Sequence, residues 1–158
     1  MQDQPEGSTV GIIFPVSIEH AKRLLEGKKD VLVKYISRVP RKPQNFRLKK
    51  GMKVLFYISG SGRRIAGEAE IHLVGFLPPL EAFRKYQGRM MLSRQELLRY
   101  ATSQPKRTIT KPLLVLELNK IQRYGNAAMF PRNVSMAGEY LSRDVYDRLP
   151  FRSDGLRD

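Results

Sequence analysis

The chain has 158 residues, of which 41% are apolar, and it contains no cysteine. This length suits one domain with its own hydrophobic core, and the missing cysteines exclude disulfides, thiolate metal ligands and a cysteine nucleophile. The net charge is +14, and residues 20–64 hold fourteen Lys and Arg against two acidic residues. Charge of one sign at this density favours a polyanionic partner, and nucleic acid is the leading candidate.

The sequence shows neither a membrane helix nor a secretory signal, and this bears on where the protein is expected to work. No apolar run approaches the roughly 18 residues of a membrane helix, and the polar first residues lack the pattern of a secretory signal. We therefore expect a cytoplasmic protein with no membrane partner. An anionic membrane surface is the weaker alternative for the charge, since no helix combines a basic face with bulky apolar residues.

The first half of the chain predicts four strands and one helix. Short β-branched and aromatic runs predict the strands, at residues 10–14, 31–35, 53–59 and 65–73. Ser17 is the expected N-cap of a helix that ends near Gly27, because apolar residues between them recur at helical spacing. Gly60-Ser61-Gly62 reads as the turn of a hairpin, although its backbone N–H groups could also face a phosphate.

The second half predicts helical additions after about residue 78. We expect a short helix over residues 80–86, a helix opened by a capping box at Ser93 and Glu96, and a last helix capped by Ser142. A long strand is expected over residues 113–124, residues 125–140 are ambiguous, and the tail after about 150 is expected to be loose. The mixture indicates a single α+β domain built on a small, mostly antiparallel β-barrel with flanking helices.

Residues 10–35, with their predicted strand, helix and Gly27-Lys28-Lys29, and residues 53–76 resemble the ASCH family, a branch of the PUA-like domains. The family places a Gly-x-Lys signature at the mouth of a cleft, and Gly27-Lys28-Lys29 stands there in this chain. The family's Glu and Arg on the next strand fall on Leu32 and Lys34, so the acid is missing and the charge of the Arg is kept. Segments 54–59 and 65–71 resemble the strand pair that lines the same cleft.

The resemblance implies a PUA-like mixed barrel whose cleft takes RNA, nucleotides or modified bases. Residues 80–124 resemble the corresponding region of small archaeal ASCH-like proteins. RNA is favoured over DNA because RNA readers use splayed bases and aromatic platforms, and no basic recognition helix is present. The favoured function is RNA binding, with transfer RNA or a modified base as the finer possibilities.

Basic residues with few acids among them are the predicted phosphate contacts. They are Lys28, Lys29, Lys34, Arg38, Arg41, Lys42, Arg63 and Arg64. Tyr57 and Ser59 are predicted nearer the base-recognition cleft, although an aromatic on a strand, such as Tyr57 or Tyr35, usually serves the core. A solvated charged surface is the alternative for the cations, and docking to an acidic protein is a third function.

The alternative to binding alone is hydrolysis of a nucleoside or RNA. The resemblance implies an amidohydrolase that uses a Lys, a hydroxyl residue and a Glu, and here the candidates are Lys29 with Glu68 or Glu70. No Ser or Thr follows Lys29 before Ser37, so Ser59 would have to supply the hydroxyl. The simpler interpretation is that both glutamates are solvated residues on the outer face of their strand, paired with nearby Lys or Arg, and an enzyme is the less favoured alternative.

The sequence predicts no metal and no cofactor. His20 and His72 are the only histidines, and their spacing matches no metal-binding motif. No phosphate-binding or dinucleotide-binding glycine motif is present. The oligomeric state is left open.

Overall fold

The computed structural model describes residues 9–60, 62–103 and 108–149. Its strands are β1 (Thr9–Val16), β2 (Val31–Lys34), β3 (Lys53–Ile58), β4 (Arg64–Leu77), β5 (Leu113–Met129) and β6 (Glu139–Ser142). Its helices are α1 (Ile18–Leu25), α2 (Pro79–Lys85), α3 (Arg94–Thr102) and α4 (Arg143–Arg148), with a 3-10 turn at Pro43–Asn45. The expectation for the tail after about 150 lies outside the described residues, as does Ser61 of the turn.

Three helices begin at the serines that the sequence selects. The side chain of Ser17 accepts a hydrogen bond from the backbone N–H of His20, which caps α1. Ser93 and Glu96 form the reciprocal capping box of α3, and the hydroxyl of Ser142 caps α4. Each side chain satisfies an N–H group that has no partner within its helix. No helix among the described residues is long and apolar enough to span a bilayer.

The strands form one six-stranded sheet in the order β2-β5-β4-β3-β1-β6. The β1–β3 pair is parallel, and the other neighbouring strands pair antiparallel, including the predicted β3–β4 hairpin. The α+β class and the mostly antiparallel sheet are therefore confirmed. The order of the described strands begins at β2 and ends at β6, so backbone pairing does not close the sheet into a complete barrel.

Both faces of the central strands are buried. Val54, Phe56 and Ile58 of β3 point into the larger core cluster, as their alternation predicts. Leu55 and Tyr57 point the other way into a second cluster, which α4 and the chain around Phe130 cover. A strand that is buried on both faces has a continuous apolar sequence, as β3 has. Tyr57 is part of that sequence, so its ring packs in the core.

Candidate nucleic-acid interface

A cleft opens where the sheet lacks backbone pairing, between β2 and the β1–β6 end. It consists of a first cavity of about 360 Å³ and a second of about 420 Å³. Tyr100 of α3 and Met136 of the loop before β6 border both cavities, so the two lie side by side, and together they are named the seam cleft. Concave sites of this size are the usual place for a ligand.

Lys34, at the end of β2, is the buried cation of the first cavity. Its side chain is only 6% exposed. Its Nζ donates a hydrogen bond to the carbonyl oxygen of Pro15 and lies 5.4 Å from the centroid of the Phe14 ring. Ser17 and Ser59 bring hydroxyl groups to the same cavity, whose walls are otherwise mainly apolar. The buried ammonium gives this cavity a positive charge, which favours a ligand that brings a carbonyl or an anionic oxygen.

Aromatic rings dominate the second cavity. The rings that line it are Phe14, Tyr35, Phe46, Tyr100 and Tyr140. The backbone N–H of Tyr35 donates to the hydroxyl of Tyr100 at 2.5 Å, which fixes the end of β2 against α3. These rings come from five segments of the chain, namely β1, the end of β2, the 3-10 turn, α3 and β6, and no spacing in the sequence shows that they meet.

Cations accompany the aromatic rings. Arg38 lines the second cavity. The Nζ of Lys111 lies 4.9 Å from the centroid of the Tyr35 ring and 3.2 Å from its hydroxyl, and the guanidinium of Arg47 lies 4.4 Å from the centroid of the Tyr140 ring. Burial raises the pKa of Tyr140, although Arg47 acts to lower it. Aromatic rings together with cations are the usual chemistry of a nucleotide site.

The far wall of the first cavity carries an ion pair. Arg23 of α1 donates to Glu96 at 2.6 Å and 3.2 Å and to the carbonyl oxygen of Met91 at 2.8 Å. The hydrogen bond from Arg23, with that from the Ser93 backbone, lowers the pKa of Glu96 to about 2. Glu96 is therefore an ionised structural group that joins α1 to α3, and it is not a proton donor near neutral pH. His20 also borders this cavity, 3.6 Å from Glu96.

The predicted RNA-binding residues divide into two sets. Lys34, Ser59 and Arg38 line the seam cleft. The rest lie elsewhere: Lys28, Arg41, Lys42 and Arg64 are exposed, and Lys29 and Arg63 are half-buried and donate to the carbonyl oxygens of Gly88 and Pro131. Tyr57 is 6% exposed and donates to Asn133 at 3.3 Å, so its ring belongs to the core in this structure.

Glu68 contacts tyrosines and Lys53 rather than Lys29. Its carboxylate is 2% exposed and accepts from the hydroxyl of Tyr124 at 2.6 Å and from that of Tyr146 at 2.8 and 2.9 Å. The Nζ of Lys53 lies 3.4 Å away. The structure thus assigns Lys29 and Glu68 to different sets of partners. The interpretation of the two glutamates as solvated strand residues fits Glu70, whose side chain is 23% exposed, but not the buried Glu68.

Glu70 lies in a chain of charges with Lys53 and Lys120, at 3.1 and 3.6 Å. The hydrogen bond from Lys53 lowers the pKa of Glu70. Burial lowers the pKa of Lys53, but its contacts with Glu70 and Glu68 outweigh burial and raise it overall. Within residues 9–60, 62–103 and 108–149, no three His, Asp or Glu side chains converge in a way that could hold a metal ion.

Residues 9–143 match the family described as "Domain of unknown function (DUF365)". The chain belongs to this family. The DUF365 chain also matches an uncharacterized protein, MJECS03, of Methanocaldococcus jannaschii. The two are 29% identical over 104 residues, which cover 62% of this chain and 96% of that protein.

Solved structures share the fold of this DUF365 chain. The ASCH protein of Zymomonas mobilis superposes with a TM-score of 0.67 at 14% identity, over 87% of this chain and 92% of that one. The N-terminal domain of McrB from Staphylothermus marinus gives 0.52 at 12% identity, over 96% and 87%. The resemblance to ASCH and PUA-like domains that the sequence indicates is thereby confirmed at the level of the fold.

Proposed function

We propose that this protein is an RNA-binding module that holds an unpaired nucleotide in the seam cleft. The second cavity carries the proposal, because its rings are bordered by Arg38, Lys111 and Arg47. An aromatic platform contributes roughly 1–3 kcal/mol for each stacked base, and cations neutralise the phosphates. The likeness to ASCH and PUA-like domains supports the proposal through the fold alone.

The first cavity gives the cleft a means of selecting its ligand. The ammonium of Lys34 can donate to a carbonyl of a base, and the hydroxyl of Ser59 can donate or accept. Mainly apolar walls strengthen the attraction between the Lys34 charge and an acceptor on a base, so a base that carries such an acceptor is favoured. A modified base, or a base of transfer RNA, is the finer form of the proposal.

RNA fits this cleft better than duplex DNA does. A base must leave its stack to enter a concave site, and unpaired RNA segments offer such bases at the lowest energy. The exposed side chains of Lys28, Arg41, Lys42 and the half-buried Arg63 add a general attraction for the backbone. A cytoplasmic location agrees with this function and stays a prediction.

The test is binding to labelled transfer RNA, single-stranded RNA and duplex DNA over a series of salt concentrations. We expect a preference for RNA that persists at physiological salt. Arg38→Gln should reduce the slope of affinity against salt by about 1, and Tyr140→Ala should weaken RNA binding by roughly 5-fold to 100-fold at constant slope. Arg148→Gln, an exposed change on α4, is the matched control.

Two results would contradict RNA binding at the cleft. If the protein binds every polyanion weakly, and if this binding is lost at higher salt, its positive charge provides only a general attraction for polyanions. Equal binding to heparin would favour the third function, docking to an acidic protein. Variants of Arg38 and Tyr140 that bind RNA as the control does would remove the cleft from the interface.

Hydrolysis of a modified nucleoside is the second candidate, and one observation favours it. An amine, on Lys34, and two hydroxyls, on Ser17 and Ser59, border one cavity, and these are the groups used in nucleophilic catalysis. Lys29 and Glu68 do not form the pair that this chemistry was expected to use. Turnover of N-acylated nucleosides that survives in Lys34→Ala would exclude Lys34 as the catalytic amine.

A further inference from the structure

A second, smaller groove lies on the other side of the α1 start from the seam cleft. It has a volume of about 250 Å³ and runs between α1, β4 and β5. Ile18, Leu25 and Ala66 supply apolar surface, and Lys22, Arg64 and Arg123 supply the charge. We name it the α1 groove.

The cations of the α1 groove converge from three elements with little acid near them. Arg123 approaches Glu26 at 3.8 Å, and both side chains are about half exposed. Among the described residues, no acidic side chain pairs with Lys22 or Arg64, and both are exposed. Cations brought together in this way repel one another, and an anionic ligand would relieve the repulsion.

The apolar floor of the α1 groove distinguishes it from an ordinary charged surface. Ile18 is 50% exposed although it occupies the first turn of α1. Leu25 packs closely on β4, because Gly67 has no side chain: a Cβ there would lie 2.6 Å from Leu25 Cδ2. A bare apolar floor ringed by cations fits a ligand with a flat apolar part and a phosphate, which is the composition of a nucleotide.

The α1 groove and the seam cleft are adjacent along the chain. Ser17 lines the first cavity and Ile18 lines the groove, and in the same way Ser59 lines the cavity and Ile58 lines the groove. Successive residues at the start of α1 and the end of β3 therefore form the wall between them. A single strand that leaves the cleft across this wall enters the groove.

We infer that the α1 groove is a second subsite for single-stranded RNA, which holds the nucleotide that flanks the one in the seam cleft. Its phosphate contacts Arg64 and Arg123, and its base or ribose covers Ile18. This inference rests on the proposed RNA binding at the cleft. Lys22 lies at the rim and adds to the attraction for the backbone.

The test compares short and longer RNA on three forms of the full chain. The probes are a single nucleotide and an unstructured RNA of about ten nucleotides. The groove variant is Arg64→Gln with Arg123→Gln, and the control of equal charge is Arg143→Gln with Arg148→Gln on α4, whose side chains are exposed. Ile18→Ser removes the apolar floor without changing the charge, at a position already open to solvent.

The groove variant should lose about 10-fold in affinity for the longer RNA and about 2 in salt slope, and it should bind the single nucleotide as the wild type does. Ile18→Ser should weaken binding of the longer RNA at constant slope. If the wild type binds RNA and the groove and control variants lose equally little, the subsite is disproved while the cleft proposal stands. If the wild type binds neither probe, both proposals fail.

Discussion

Lys34 donates a hydrogen bond to the carbonyl oxygen of Pro15 and thereby ties β2 to β1. These strands lie near opposite ends of the sheet order, and no backbone pairing joins them among the described residues. A side chain thus bridges the sheet where main-chain hydrogen bonds stop. The gap that this leaves is the seam cleft, so one residue both closes the fold and lines its candidate site.

Lys34→Met should therefore affect stability and binding together. The buried carbonyl of Pro15 loses its donor, which lowers the free energy of unfolding by about 1–2 kcal/mol, and RNA affinity falls because the cavity loses its cation. Urea unfolding and RNA titration measure the two effects. Lys28→Met, at an exposed site, should change stability by less than about 0.5 kcal/mol. Equal effects of the two substitutions would contradict the structural role of Lys34.

The sequence could predict this position but not this role. The family resemblance places a cation at Lys34, and the continuous apolar run of residues 31–33 before it indicates a buried strand. Whether the ammonium meets a phosphate at the surface or a carbonyl inside depends on how α1 and β1 pack beside β2. That packing is a long-range contact, which no local spacing encodes.

Stability should decrease in acid through Glu96. The pKa of Glu96 is about 2 in the folded protein, against an ordinary value of 4.5. A lowered pKa stabilises the fold above the unfolded value, and this contribution disappears as the pH falls from about 5 to about 2. We expect about 1–2 kcal/mol, discounted because part of the carboxylate faces solvent. Glu96→Gln should flatten the decline in melting temperature over this range.

The control for the acid effect is Glu81→Gln on α2, whose side chain is exposed. It should leave the pH profile of the melting temperature unchanged. A profile for Glu96→Gln that still declines as steeply as that of the wild type would show that other carboxylates carry the acid sensitivity.

Gly67 is required for the close approach of α1 to the sheet. A Cβ at this position would lie 2.3 Å from the carbonyl oxygen of Gln122 and 2.6 Å from Leu25 Cδ2. Gly67→Ala should therefore cost about 3 kcal/mol of unfolding free energy, at the upper end of overpacking effects. Gly75→Ala, on the same strand, meets no atom closer than 4.0 Å and should be neutral or slightly stabilising. Thermal unfolding of the two variants tests the contrast.

The helix starts and the candidate site differ in how far local sequence determines them. Ser17, Ser93 and Ser142 act on backbone groups only three residues away, so their capping roles can be deduced from the sequence. The second cavity combines Phe46, Tyr100 and Tyr140 from distant segments of the chain. Each is partly buried against the core, as aromatic side chains usually are, so the sequence does not distinguish them as site residues. Glu68 was expected on an outward face, but Tyr124 and Tyr146 cover that face, and only the tertiary structure shows this.

Two tyrosine-to-phenylalanine changes should separate the core network from the candidate site. Tyr146 donates to both oxygens of the buried Glu68 carboxylate, so Tyr146→Phe should lower the free energy of unfolding by about 1–3 kcal/mol. RNA binding should not change, because Tyr146 lies in the second core cluster. Tyr100→Phe instead removes the acceptor for Tyr35 within the cleft, so it should weaken RNA binding several-fold, with a smaller loss of about 1 kcal/mol in stability. Paired urea-unfolding and RNA-titration measurements decide the matter: if both variants weaken RNA binding equally, binding follows overall stability, and the cleft tyrosine has no separate part in it.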